Sequence, residues 1–425
     1  MSKNMAKNLG SIFLNTKRSL FEKREDIQLQ PKIKSYLLET KQHNYSVQYS
    51  VHKPNAVFFD MNYDDDIGMF EPSVTSITFH EDSRFNRHIS VYPKNLQYLS
   101  FGDYYNKSVD NLPKCLKVLK FGRMFNQNVD HLPSGLTNIK FGNHFNKPID
   151  NLPSSLTSIE FGYKFNQNIN HLPKNLKKLI LGKGFNGKIN NLPTNLEVLI
   201  LGSVIDVLKC VTHYQIVDNL PKNLIYLDFG NCHCDNLLER LPLKLKYLKL
   251  GVDFNKDIDI FPLPLSLETL IFGRYFNKNV NNLPPNLKKI VFGENFDQSV
   301  DNLPQSLEHL TFSDYHICPS KFNQTINKLP SRLKSLTLGD NFNQSIDNLP
   351  NSLEYLKLGN GFNQSIDNLP DSINTLYIGD GFRKYVKKFP KNLTKIFLGK
   401  NCSHILKSLP NHIEYHVASG IIFDV

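Results

Sequence analysis

The chain has 425 residues, 40% hydrophobic and 21% charged, with 50 Lys or Arg against 39 Asp or Glu and a formal net charge of +11. That composition excludes a disordered polyelectrolyte, and no apolar run approaches the roughly eighteen residues of a membrane-spanning helix. The basic excess is uneven: the first 44 residues hold nine Lys or Arg and four Asp or Glu, leaving +6 for the rest. A solvated lysine-rich surface accounts for this better than a nucleic-acid groove, which needs its cations concentrated on one face.

Six cysteines (Cys115, Cys210, Cys232, Cys234, Cys318, Cys402) follow no disulfide framework. The start, with Lys7, Lys17 and Arg18 and no long apolar stretch, does not read as a secretory signal. A reducing compartment, the cytoplasm, is the expected setting, and no membrane association is expected.

Residues 1–70 carry no repeat. Apolar residues in 8–21 and 33–38 suggest short helices, whereas 45–51 alternates weakly and 56–60 is a short apolar strand candidate. Asp64, Asp65 and Asp66 suit a solvated turn. A small helical or mixed cap is expected here, because the open end of a repeat array must be covered to stay soluble.

From residue 71 to the end the chain is an array. A worn first unit (Val74, Ile77, Phe79, Phe85, Asn86, Ile89) precedes units led by Pro93, Pro113, Pro133, Pro153, Pro173 and Pro193, twenty residues apart. The interval to Pro221 is 28 residues, and that to Pro330 is 26, so two insertions interrupt the beat. The register is regular again at Pro350, Pro370, Pro390 and Pro410. The last unit decays, with His416 where a core leucine is expected. A fixed period of this length is the signature of a solenoid.

Within a unit, Leu119 and Phe121 lie two apart, a period that marks a short strand with one buried face. Gly122 is expected to turn the chain out of the strand with a positive φ. Phe125, Val129 and Leu132 return to the interior, and the prolines suit the outer arc, where no ladder donor is needed. The Asn after Phe, as in Asn126, Asn146 and Asn166, is expected to point inward and satisfy backbone groups away from water. The fold class is therefore mainly β: a leucine-rich-repeat-like solenoid, a curved parallel sheet of about 17 coils of ~20 residues.

The motif P-x-x-L-x-x-L-x-[FL]-G-x-x-F-N-x-x-[IV]-[DN]-x-L, as in 153–172 and 350–369, resembles the FNIP repeat of slime-mould and giant-virus proteins, a member of the leucine-rich-repeat group. The resemblance covers residues 71–418, and its first half is also similar to the proline-led repeats of secreted bacterial effectors. It implies a protein-interaction scaffold, in the host cytoplasm if the protein is viral. Some proteins of this family begin with an F-box, so a divergent F-box in residues 1–70, docking a ubiquitin-ligase adaptor, is a second expectation.

Function falls to the positions that the motif leaves free, the outward residues five and seven after each proline. Ile180, Val198, Ile200, Ile271 and Val291, with Tyr226, Asp228, Tyr247 and Lys249 between them, form a candidate partner-binding patch on the concave face. Cys210, His213, Cys232, His233 and Cys234 lack the spacing of a structural zinc site. No phosphate loop, H-E-x-x-H or G-x-S-x-G occurs, and His131 and His171 stand where other units have Asn. No enzyme, metal or cofactor is expected. Another protein is the expected partner, and binding of nucleic acid is a weaker alternative.

Overall fold

The computed structural model describes residues 47–50, 53–67, 70–189, 191–202, 219–230, 240–260, 262–313 and 319–418. The chain divides into Met1–Ser46 and Val47–Val425, and the described residues belong to the second unit. The helices expected over 8–21 and 33–38, the F-box reading and most of both insertions lie outside them.

Strands β1 (Val47–Ser50) and β2 (Lys53–Phe59) form an antiparallel hairpin. From β2 onward pairing is parallel and follows chain order, through β3 (Ser76–Phe79) to β19 (Glu414–Val417), in a nineteen-stranded sheet. This is the parallel solenoid expected from the period, with one short strand per coil of about twenty residues.

The unit led by Pro133 shows why the coil forms. The Pro133 carbonyl accepts the Leu136 N–H at 3.0 Å, closing a turn that needs no N–H from the proline. Strand β6 (Asn138–Lys140) buries Ile139 and leaves its neighbours outside. Leu136, Ile139, Phe141, Phe145 and Ile149 are all at most 3% exposed. Fully burying such a side chain contributes about 1.5–3 kcal/mol, but only once a neighbouring coil covers it. Phe141 and Phe145 stack at 3.9 Å within their coil, and Phe161 and Phe165 repeat the pair one coil on, at 5.3 and 6.1 Å respectively. The interior is thus a double column of phenylalanines. Near its C-terminal end Cys402 fills a Phe slot, fully buried, and burial pushes its thiol pKa up.

Three expectations need correction. The strand-end glycines do not use positive φ: among the described residues only Gly202 (65°) and Gly230 (54°) do. Gly122 and Gly142 are required for close approach instead, because a Cβ on Gly142 would run into the Gly122 carbonyl oxygen. The Asn column does not point into the core, for Asn86, Asn146, Asn166 and Asn186 are exposed. Its side chains run along the outside as a ladder. Finally, β19 pairs one residue out of step with β18 (Lys395–Leu398), Tyr415 standing opposite Ile396 and His416 opposite Phe397. His416 therefore takes an outward position, stacked on Phe397 at 4.9 Å, because the last coil reaches the sheet one residue early.

Asp64 and Asp66, expected in a solvated turn, both contact Arg87, at 3.4 and 3.5 Å. His171, at its turn position, contacts Asp150 at 2.9 Å.

A candidate partner-binding face on the sheet

The outward positions of six adjacent strands form the face: β8 (Lys178–Leu181), β9 (Val198–Leu201), β10 (Tyr226–Asp228), β11 (Tyr247–Lys249), β12 (Thr269–Ile271) and β13 (Lys289–Phe292). Each strand is anchored by a central inward Leu or Ile, with a second buried residue closing β8, β9 and β13, so the side chains on either side of that anchor face away from the core. Parallel register lines these up in two rows. One runs Lys178, Val198, Tyr226, Tyr247, Thr269, Lys289, and the other Ile180, Ile200, Asp228, Lys249, Ile271, Val291.

All nine candidate residues fall in these two rows. Eight are half-buried, and Asp228 is buried. Neighbouring side chains in a parallel ladder cover one another, which is why the isoleucines are less open than an isolated strand suggests. Tyr226 and Tyr247 stack face to face, with centroids 3.9 Å apart and planes 7° from parallel. Burial first, then the hydrogen bond with Tyr226 and the Tyr226 and Asp228 charges, pushes the Tyr247 hydroxyl well above the usual tyrosine range. It stays a neutral phenol. Asp228 is fully engaged, Oδ1 accepting the Gly230 N–H at 2.7 Å and Oδ2 meeting Lys249 Nζ at 3.2 Å. The patch is thus two apolar ends joined by a stacked tyrosine pair and a neutralised ion pair.

Beside the first row lies a second feature that the sequence reading missed. A groove of about 940 Å³ runs along residues two and four after each proline, over Asn175, Lys177, Asn195, Glu197, Asn223, Ile225 and Lys246. The fourth-position column is mostly a ladder of charges, with Lys177 to Glu197 at 3.1 Å, and Glu268 between Lys246 (3.0 Å) and Lys288 (2.9 Å). Ile225 interrupts that ladder, and Leu243 beside it is 84% exposed. The signal was in the sequence: an isoleucine in a column of Lys and Glu. Ile225 lies one residue before its strand, outside the period-two pattern that marks the outward face.

Among the described residues no cluster of three His, Cys, Asp or Glu could hold a metal ion. Cys210, His213, Cys232, His233 and Cys234 lie outside the described residues. No described helix is long and apolar enough to cross a membrane.

The FNIP Repeat model matches residues 85–124, 125–164, 165–204, 235–275, 276–315 and 322–361, together more than half of the chain. The chain belongs to the FNIP repeat family. Among solved structures, this FNIP-repeat chain is similar to CroV588, a giant-virus protein described as a novel circular leucine-rich-repeat structure, at 34% identity and a TM-score of 0.68. The match covers 88% of this chain but only 60% of CroV588. YopM of Yersinia enterocolitica matches at 18% identity over 79% of this chain and 86% of its own, with a TM-score of 0.35. An internalin of Listeria monocytogenes matches at 13% identity over 87% of each chain, with a TM-score of 0.38. None of the curated proteins matches. FNIP and other leucine-rich-repeat solenoids are typically interaction scaffolds rather than enzymes.

Proposed function

We propose that this FNIP-repeat protein is a non-enzymatic scaffold that binds another protein on the outward face of β8 to β13. The observation that supports the reading most is the composition of that face. It offers Ile180, Val198 and Ile200 at one end, Ile271 and Val291 at the other, and the stacked Tyr226–Tyr247 pair between them. Rigid aromatic and β-branched side chains lose little entropy on binding, and such clusters at the centre of a surface dominate protein association. The neighbouring Asp228 is already neutralised, so covering it strands no charge.

Affinity capture followed by mass spectrometry tests this. The intact chain is compared with a variant carrying Ile180→Asp, Ile200→Asp and Ile271→Asp, whose fold is checked by circular dichroism. A partner lost only from the folded variant supports the reading. Partners retained by both overturn it.

A further inference from the structure

The scaffold reading leaves the chemistry of the partner open, and the charges at the two ends of the patch narrow it. Lys178 and Lys289, on the outermost of the six strands, are exposed, and neither makes an ion pair among the described residues. Lys249 is the third cation of the two rows, and it is held by Asp228, their single anion. The patch therefore presents two uncompensated ammonium groups and no uncompensated carboxylate.

On this basis, which rests on the scaffold reading above, we propose that the occupant is an extended acidic segment of a partner protein. One of its carboxylates meets Lys178, another meets Lys289, and apolar side chains between them lie over the isoleucines and the tyrosine pair. The two lysines share a row and stand five strand steps apart, roughly 24 Å at ~4.8 Å per step. An extended chain advances about 3.3 Å per residue and turns every second side chain to the same face, so the two carboxylates are about six or eight residues apart in the partner. A nucleic-acid strand fits less well. Its phosphates recur at every nucleotide and need cations throughout, whereas the middle of this patch is apolar and neutral.

The test is selection of short random displayed peptides on the full-length chain, repeated on a Lys178→Glu, Lys289→Glu variant and on an Ile200→Asp variant. Enrichment of peptides with two acidic positions about six or eight residues apart and apolar residues between them is expected. Such a peptide, made synthetically, loses affinity on the order of tenfold per reversed lysine and weakens with added salt. Selected peptides without an acidic signature that still depend on Ile200 overturn this inference while sparing the scaffold reading. Peptides indifferent to both variants, or no enrichment at all, overturn both. Tight binding of a single-stranded oligothymidylate that the lysine variant abolishes also overturns the inference.

Discussion

The side-chain oxygen of Asn126 accepts the backbone N–H of Asn146, one coil later, at 2.9 Å. The same bond runs from Asn86 through Asn106 to Asn186, and again from Asn255 through Asn277 and Asn323 to Arg383. Each rung satisfies a backbone donor that the turn leaves without a partner in its own coil.

Asn146→Ala removes the acceptor of the Asn166 N–H and the nearer of the two acceptors of the Gln167 amide, which keeps the residue-146 carbonyl. A loss of about 1 kcal/mol is expected, read from urea unfolding followed by circular dichroism. Asn146→Asp is expected to retain most of that stability. Asp297 already fills the same rung, accepting the Asn323 N–H at 2.9 Å.

The phenylalanine columns separate two kinds of substitution. Phe145→Ala empties a fully buried ring site and is expected to cost about 3–5 kcal/mol in the same assay. Phe141→Leu is expected to cost less than about 1.5 kcal/mol. Leu181 and Leu201 occupy that column in other coils and are themselves fully buried.

Gly142→Ala tests close approach against turn conformation. Its added methyl meets the backbone of Gly122, which cannot rotate aside as a side chain can. The expected cost is about 1–3 kcal/mol or more, well above the helix- or strand-propensity gain that alanine brings elsewhere. A neutral or stabilising result in thermal unfolding would show that the coils can spread.

Acid sensitivity should map to the charge ladder. The hydrogen-bonded ammonium groups of Lys288 and then Lys246 hold the Glu268 carboxyl below its usual range, and Lys334 does the same for Glu308. A lowered folded-state pKa gives stability that is present above the unfolded value of about 4.3 and is lost as pH falls through the folded one. Glu268→Gln should therefore lower the melting temperature modestly near neutrality and flatten its fall below about pH 4.3, so that the two proteins converge in acid. These groups are solvent-exposed, so added salt should shrink the difference.

Much of this was legible in the residues. Leu119 and Phe121 announced a strand, and β5 (Val118–Lys120) lies there. The apolar stretch 56–60 overlaps β2, and the weak alternation at 45–51 overlaps β1. Ile180, Ile200, Ile271 and their companions could be lined up because a strict period converts sequence spacing into spatial neighbours. What failed was direction and phase. A repeated polar residue beside buried Phe125 suggests an inward Asn126 with a buried partner. Its actual partner is a main-chain N–H twenty residues away, which side-chain pattern does not display. The slip at β19 was hidden for a similar reason, since Ile413 keeps the spacing of its coil while the pairing moves by one residue.

The asparagine ladder also has a polarity. In every rung the earlier coil supplies the side-chain acceptor and the later coil supplies the donor. A nascent chain emerging from the ribosome thus finds each docking point already in place, set by the coil made just before it. Assembly can proceed vectorially, with each newly synthesised coil templated by its predecessor and none waiting for residues still to be translated.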